Sequence, residues 1–216
     1  MNKIIVIVLL SLLGCSGNRH KGFLNSKYER SDGYETEKQT GTFKNSAGKK
    51  VIPDSSFVTT TGEIRSDRIP DEVFDRPDLK ELVIKGMDCD IIEEGKVKHC
   101  WMIKEIPPQI KNLTHLGILR LPLNSISRLP DEIKALKNLK IIDLTDNIPL
   151  SNIDQLAELP ELEEIYVFGC GISRLPENIG NLKKLKVFGL TGNPLVKKEL
   201  DRAHKLLPDC NIVYEK

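Results

Sequence analysis

The stretch LGILRLPLNSISRLPDEIKALKNL, residues 116–139, decides the fold because its apolar positions recur every 23 residues along the chain. The recurring residues form six rows: Ile110, Ile133, Leu156, Ile179; Leu113, Leu136, Leu159, Leu182; Leu116, Leu139, Leu162, Leu185; Leu119, Ile142, Ile165, Phe188; Leu121, Leu144, Val167, Leu190; and Ile126, Pro149, Ile172, Leu195. All but Pro149 are apolar, although apolar residues make up only 39% of the chain. One such unit cannot bury its own apolar stripe, so the period predicts units stacked into a solenoid with one continuous core.

A seventh row holds Asn124, Asn147, Cys170 and Asn193. Together the rows resemble the leucine-rich-repeat pattern LxxLxLxxN followed by xIxxLPxxIxxLxxL. The resemblance implies an α/β solenoid with a parallel sheet of short strands on the concave face and loop or helical returns on the convex face. It also implies that each asparagine satisfies backbone groups of a buried turn, which requires a side chain that both donates and accepts hydrogen bonds. Cys170 is interpreted as a core residue.

The ends and the third repeat depart from the pattern. In the third repeat the apolar residue of the return is displaced by one, at Ile153, so we expect this return to differ. Residues 69–74 and 79–84 resemble a partial return and a strand, which gives about five rungs in total. Phe57 and Val58 are expected to cover the open N-terminal edge. Residues 197–207 predict a helix, which with residues 208–214 resembles a closing cap.

An insertion of 14 residues separates the first two rungs and contains CDIIEEGKVKHC, residues 89–100. Its symmetry about Glu94-Gly95 predicts a β-hairpin in which Ile92 faces Val97 and Cys89 faces Cys100. In an exported protein, facing cysteines favour a disulfide. Zinc is the alternative, with Cys89, His99 and Cys100 as ligands, but a fourth ligand is missing. Cys170 and Cys210 are expected about two rungs apart, both free and buried.

The N-terminus has the layout of an export signal. Lys3 precedes an unbroken run of apolar or small residues, 4–13, which is too short to span a bilayer. Leu12-Leu13-Gly14-Cys15 resembles the lipobox of bacterial lipoproteins, which implies cleavage before Cys15 and lipidation of that residue. Ser16 is not the aspartate of inner-membrane retention, so the resemblance favours the outer membrane, with the protein periplasmic or surface-exposed. The alternative is a secreted protein cleaved near Ser16.

Residues 16–50 are polar, carry eight Lys or Arg and four Asp or Glu, and have no helical or strand period. We interpret them as a flexible tether with a span of about 30 to 35 Å. Its basic excess favours either contact with an anionic membrane or a solvated spacer. The predicted divisions are a signal peptide (1–14), lipidated cysteine and tether (15–50), N-terminal cap and partial repeat (51–78), repeats (79–195) with a hairpin at about 87–101, and C-terminal cap (196–216).

Charge and motifs narrow the function. The chain holds 32 Lys or Arg against 31 Asp or Glu, which gives no reason to expect a nucleic-acid partner. Its four histidines fall in four separate regions without nucleophile or metal-ligand spacing, and no phosphate-binding glycine loop is present. The sequence therefore predicts no enzyme, no metal, no cofactor and no small-molecule substrate.

The expected function is a lipid-anchored module that binds another protein at the cell envelope, with a periplasmic scaffold or an inhibitor or immunity lipoprotein as the alternative. Residues that flank the inward leucines of each strand face the concave surface. We predict the protein-binding residues there to be Lys85, Arg120, Asp143, Thr145, Tyr166, Phe168 and Thr191, with Val83, Pro122 and Gly189 between them. Aromatic residues and arginine are common anchors of interfaces, although an ordinary sheet face fits equally well. Five strands give about 400 Å², so the hairpin or loops are expected to contribute.

Overall fold

A computed structural model of the chain describes residues 43–44, 50–51, 55–91 and 97–215. The predicted signal peptide, Cys15 and most of the tether lie outside these residues. The chain divides into two compact units. In one unit, β1 (Phe43–Lys44) and β2 (Lys50–Val51) pair with each other in antiparallel orientation. The other unit contains the repeats and both caps.

The repeat unit is built on a parallel sheet of seven strands. In spatial order they are β3 (Ser56–Thr60), β4 (Glu81–Lys85), β7 (Ile118–Arg120), β8 (Ile141–Asp143), β9 (Glu164–Tyr166), β10 (Val187–Gly189) and β11 (Asn211–Val213). The register keeps equivalent repeat positions opposite each other, so that Leu119 pairs with Ile142 and Ile142 with Ile165. The sequence therefore predicted the parallel sheet and the solenoid correctly.

The sheet is longer than the five rungs expected. Phe57 does not merely cover the end of the solenoid, because it lies in β3 and pairs with Leu82 of β4. At the other end, Ile212 of β11 pairs with Phe188. Both end segments extend the sheet because backbone groups at a buried edge need hydrogen-bond partners.

Short 3-10 helices form the returns between strands. They span Asp71–Asp75, Pro108–Asn112, Asp131–Ala135, Asp154–Glu158 and Ile179–Asn181. In three of them a proline precedes the first helical residue or occupies it, and its fixed φ suits this position. The third repeat was expected to have a different return, but Asp154–Glu158 is a 3-10 helix like the others. The difference lies in the loop before it, residues 148–152.

The recurring leucines and isoleucines form one core between the sheet and the returns, and most of them are fully buried. The asparagines connect successive turns inside this core. Asn147 accepts a hydrogen bond from the Ile126 N–H at 2.9 Å and donates to the carbonyls of Leu121 and Leu144, both at 2.9 Å. Asn193 makes the same set of bonds two repeats later, and Asn124, one repeat earlier, makes an equivalent set in which the Pro122 carbonyl is the local acceptor.

The residue before each member of the asparagine row has a left-handed backbone conformation. Leu123, Asp146, Gly169 and Gly192 have φ between 57° and 82°. Glycine enters this region without a steric penalty and aspartate tolerates it. The turn therefore explains why glycine stands at positions 169 and 192.

The hairpin consists of β5 (Asp88–Ile91) and β6 (Val97–Trp101), which pair in antiparallel orientation. Cys89 pairs with Cys100, and their Sγ atoms lie 2.07 Å apart in a disulfide. The expected pairing of Ile92 with Val97 is wrong by one residue. Val97 pairs with Ile91, because the register shifts between Asp90 and Ile91.

The hairpin is fixed to the N-terminal cap by polar contacts. α1 (Thr61–Ile64) follows β3, and its Thr61 hydroxyl donates to the Trp101 carbonyl at 2.7 Å. The Thr60 hydroxyl donates to the Asp88 carboxylate at 2.8 Å. Asp67 accepts from the Met102 N–H at 3.1 Å and from Lys104 at 2.9 Å. These contacts therefore hold the inserted hairpin against the N-terminal cap.

At the other end, α2 (Lys197–Leu206) closes the core with the buried Ala203 and Leu207. Arg202 donates to the carbonyls of Leu175 and Pro176 at 2.8 and 2.9 Å and to Glu199 at 2.7 Å. Glu199 in turn accepts the Leu175 N–H at 2.8 Å. The bond from Arg202 and that from the Leu175 N–H hold the pKa of Glu199 below its usual value. Among the residues that the structure describes, no helix is long and apolar enough to cross a membrane.

Candidate interaction surface

The sheet face that points away from the core carries three rows of side chains. The first row is Glu81, Ile118, Ile141, Glu164 and Val187; the central row is Val83, Arg120, Asp143, Tyr166 and Gly189. The third row is Lys85, Pro122, Thr145, Phe168 and Thr191, at or just beyond the strand ends. Bonds such as Leu123 N–H to the Thr145 carbonyl, 2.8 Å, keep the third row in register. The predicted contact residues therefore lie in two adjacent rows of one face.

The exposure expected for these residues is wrong for six of the seven. Lys85 is exposed, but Arg120, Asp143, Thr145, Tyr166, Phe168 and Thr191 are each 3 to 9% exposed. Contacts within the face contribute to this burial. The Tyr166 hydroxyl donates to Glu164 at 2.8 Å, and Asp143 accepts the Thr145 N–H at 3.0 Å. Burial and these bonds thus restrict the six side chains more than Lys85.

The two aromatic rings pack against each other and over a glycine. The ring centroids of Tyr166 and Phe168 are 5.9 Å apart. A Cβ atom on Gly189 would lie 2.3 to 2.8 Å from three carbons of the Phe168 ring. Gly189 is the last residue of β10, and its missing side chain makes room for that ring.

The first row contains residues that sequence analysis missed. Ile118, Ile141 and Val187 are apolar yet half-buried, and they open strands β7, β8 and β10. We call these three residues the apolar strip; Ile118 and Ile141 are neighbours in it, and Glu164 of β9 separates Ile141 from Val187. The same alternation that places Arg120 and Asp143 on this face extends two residues back to Ile118 and Ile141, so the signal was present in the sequence.

Charged side chains cross between repeats beside the apolar strip. Glu163 forms ion pairs with Lys140 at 3.5 Å and with Lys186, and Glu161 pairs with Lys184 at 2.6 Å. The hydrogen bond from Lys186 holds the pKa of Glu163 below its usual value, and the charges of Lys186 and Lys140 act in the same direction. The strip is therefore bordered by polar and charged groups, as the apolar centre of an interface is bordered by its rim.

The three histidines in the part of the chain that the structure describes lie apart from one another. His99 lies 3.7 Å from Asp67 in the hairpin region, while His115 and His204 bond through Nδ1 to the carbonyls of Pro77 and Leu200. Across residues 55–91 and 97–215, no group of three or more His, Cys, Asp or Glu side chains is arranged to hold a metal ion.

Two cysteines of the repeat unit are free, Cys170 and Cys210. Cys170 is buried as expected, and burial raises the pKa of its thiol to about 12. Cys210 is only half-buried, because it lies at the edge of the closing cap. Burial raises its pKa to about 11.

The repeat unit is similar to solved leucine-rich-repeat proteins. An internalin of Listeria monocytogenes superposes with a TM-score of 0.52 at 18% identity, covering 69% of this chain and 40% of its own. A second internalin of that species gives a TM-score of 0.51 at 17% identity, covering 66% of this chain and 54% of its own. This chain therefore matches only about half of each internalin or less, and the likeness concerns the fold.

Among curated proteins, 67 residues are 43% identical to part of the adenylate cyclase of Schizosaccharomyces pombe. This match covers 31% of the present chain and 4% of that enzyme, so it says nothing about catalysis here. No family model matches the chain. With the period, the asparagine turns and the parallel sheet already described, the superpositions show that the fold is a short leucine-rich-repeat solenoid.

Proposed function

We propose that this chain is a protein-interaction module, and that its partner docks on the sheet face along the apolar strip. The single observation that carries the proposal is the strip itself: Ile118, Ile141 and Val187 remain partly exposed on a rigid sheet, beside ion-paired side chains. Exposed apolar side chains with a polar rim are typical of protein-binding surfaces. The predicted contacts Arg120, Asp143, Thr145, Tyr166, Phe168 and Thr191 belong to the same face and fix its shape, and Lys85 provides an exposed charge.

The area of the sheet face is too small for a standard interface, so other parts of the molecule must contribute to binding. Seven strands at about 4.8 Å and a strand length of about 17 Å give roughly 570 Å². A standard interface buries about 800 Å² on each partner. The partner must therefore also contact an edge of the face, and the hairpin is held firmly at one of them by Asp67 and Thr61.

We propose that the module acts at a bacterial cell envelope, anchored by lipid on Cys15, with residues 16–50 as the tether; contrary to the expected lack of strands, this segment includes β1 and the start of β2. The support is the lipobox-like Leu12-Leu13-Gly14-Cys15 after an apolar run. A scaffold or an inhibitor of an exported protein would use the same anchor and face with a different partner. We propose no catalytic role, since the polar groups of the face bond to one another and the histidines lie apart.

Cys15→Ser tests the anchor. Cells fed a clickable fatty acid should label the wild-type chain and not the variant, which should appear in the soluble fraction. Cys210→Ser is the matched control and should be labelled like the wild type. Equal labelling of the wild-type and Cys15→Ser chains would contradict lipidation at this residue.

Site-specific photo-crosslinking in cells tests the binding face. A photoreactive amino acid at Ile141 should give a discrete crosslinked protein band, which mass spectrometry then identifies. The control position is Ala135, which is exposed on the return that precedes β8. A band obtained from Ala135 and not from Ile141 would place the partner on the returns and overturn the proposal.

A further inference from the structure

The loop of the third repeat is displaced by one residue relative to its neighbours. In the second repeat, Ile126 and Leu129 enter the core, with exposures of 0 and 3%. In the third repeat, the equivalent sequence positions are Pro149, which is exposed, and Asn152. The following residues, Leu150 and Ile153, enter the core instead, with exposures of 0 and 1%.

This displacement removes a hydrogen-bond donor. In the regular repeats, the asparagine Oδ1 accepts an N–H from the preceding repeat: Ile126 bonds to Asn147 at 2.9 Å, and Ile172 bonds to Asn193 at 3.0 Å. Pro149 has no N–H to offer. The N–H of Leu150, which replaces Ile126 in the core, bonds to the Asn147 carbonyl in its own turn at 2.9 Å.

The fourth repeat differs where it meets this loop. It carries Cys170 in the asparagine row, and the thiol donates to the Leu144 carbonyl at 3.3 Å. A thiol is a weak acceptor, and Pro149, at the position of the usual donor, offers no N–H for it to accept. The next residue is Gly171, where a Cβ atom would lie 3.0 Å from the Ile148 carbonyl oxygen. A larger residue would therefore press on the displaced loop.

We infer that Cys170 and Gly171 are the fourth repeat's adaptation to the displaced loop, and that this loop, residues 148–152, is the part of the solenoid that opens most readily. This loop lacks the hydrogen bond from a backbone N–H to the asparagine Oδ1 of the following repeat, which the turns at Ile126 and Ile172 have. The Gly171 N–H still reaches the Leu150 carbonyl at 2.9 Å, and Arg174 pairs with Asp154 at 2.7 Å, but the latter contact is exposed. Ile148, at 49% exposure, adds little to the core.

A loop exchange tests the adaptation. Residues 148–153 are replaced by SISRLP, the sequence of residues 125–130, and Cys170→Asn is made in both backgrounds. With the natural loop, Cys170→Asn should raise the unfolding equilibrium constant roughly 5- to 30-fold, because the new Oδ1 is buried without a donor. With the exchanged loop, residue 149 regains an N–H, so Cys170→Asn should lower that constant.

Asn147→Cys is the control and should raise the unfolding equilibrium constant, because Ile126 keeps its N–H. The same sign in both backgrounds would overturn the adaptation.

Hydrogen exchange of the unmodified protein tests the opening and does not depend on any variant folding. The Leu150 amide should exchange at least about tenfold faster, after correction for intrinsic rates, than the amides of Ile126 and Ile172. Exchange of Leu150 as slow as that of the other two would contradict a loop that opens independently.

Discussion

Replacing Asn147 by alanine should lower the free energy of unfolding by about 3 to 5 kcal/mol. The side chain is fully buried, accepts the Ile126 N–H and donates to the Leu121 carbonyl. Leaving a buried backbone group without its bond costs about 1 to 3 kcal/mol. The Leu144 carbonyl is less affected, because it also accepts the Asn147 N–H and the Cys170 thiol. Chemical denaturation followed by circular dichroism measures the change.

Asn138→Ala is the matched control for this prediction. Asn138 lies at the end of the preceding repeat, and its side chain also donates to a backbone carbonyl, that of Thr114 at 2.8 Å, but it is exposed. Water can replace that bond, so we expect a change of less than about 0.5 kcal/mol. Equal effects of the two substitutions would show that the buried asparagines do not stabilise the turns.

The second large effect is expected from the hairpin disulfide. Replacing Cys89 and Cys100 together by serine should cost about 2 to 3 kcal/mol, since the bond closes a short loop and restricts the unfolded chain. The value lies below the upper end of the usual range because Thr60, Thr61 and Asp67 also hold the hairpin in place. The midpoint of denaturation should fall in the double variant, and a reducing agent should lower the wild-type midpoint only.

Counting thiols in the unfolded protein tests the bridge directly. In a chain with Cys15 replaced by serine, two cysteines, Cys170 and Cys210, should react before reduction, and all four after it. Four reactive thiols in this variant, purified from the soluble fraction without reductant, would contradict the bridge.

The repeat core could be predicted from the sequence because its signal is periodic. Leu119, Ile142 and Ile165 recur at equal spacing, and a parallel register is the arrangement that stacks them. The strand around Phe57 was not recognised as such because it lies outside the period and has little pattern of its own. Its pairing with β4 depends on tertiary contact, which overrides weak local preference.

The surface was predicted less well than the core. Alternation identified the face on which Arg120 and Tyr166 lie, but not that both side chains are buried, because burial depends on neighbours from other strands. Ile141 was missed although alternation places it on the same face, two residues before Asp143. The displaced loop was visible in the position of Ile153, but its consequence for Cys170 required the hydrogen bonds.

The most direct test of the account is the affinity of the purified partner, once crosslinking has identified it, for two variants of one repeat. Ile141→Arg places a charge in the apolar strip, whereas Ile148→Arg makes the same substitution in the exposed loop of that repeat. Both residues are at least partly exposed, so both variants should fold with a circular dichroism spectrum like that of the wild type. We predict that Ile141→Arg weakens binding at least about tenfold, the loss of roughly 1.4 kcal/mol, and that Ile148→Arg changes it less than twofold. Unchanged binding by Ile141→Arg would contradict the sheet face as the binding surface.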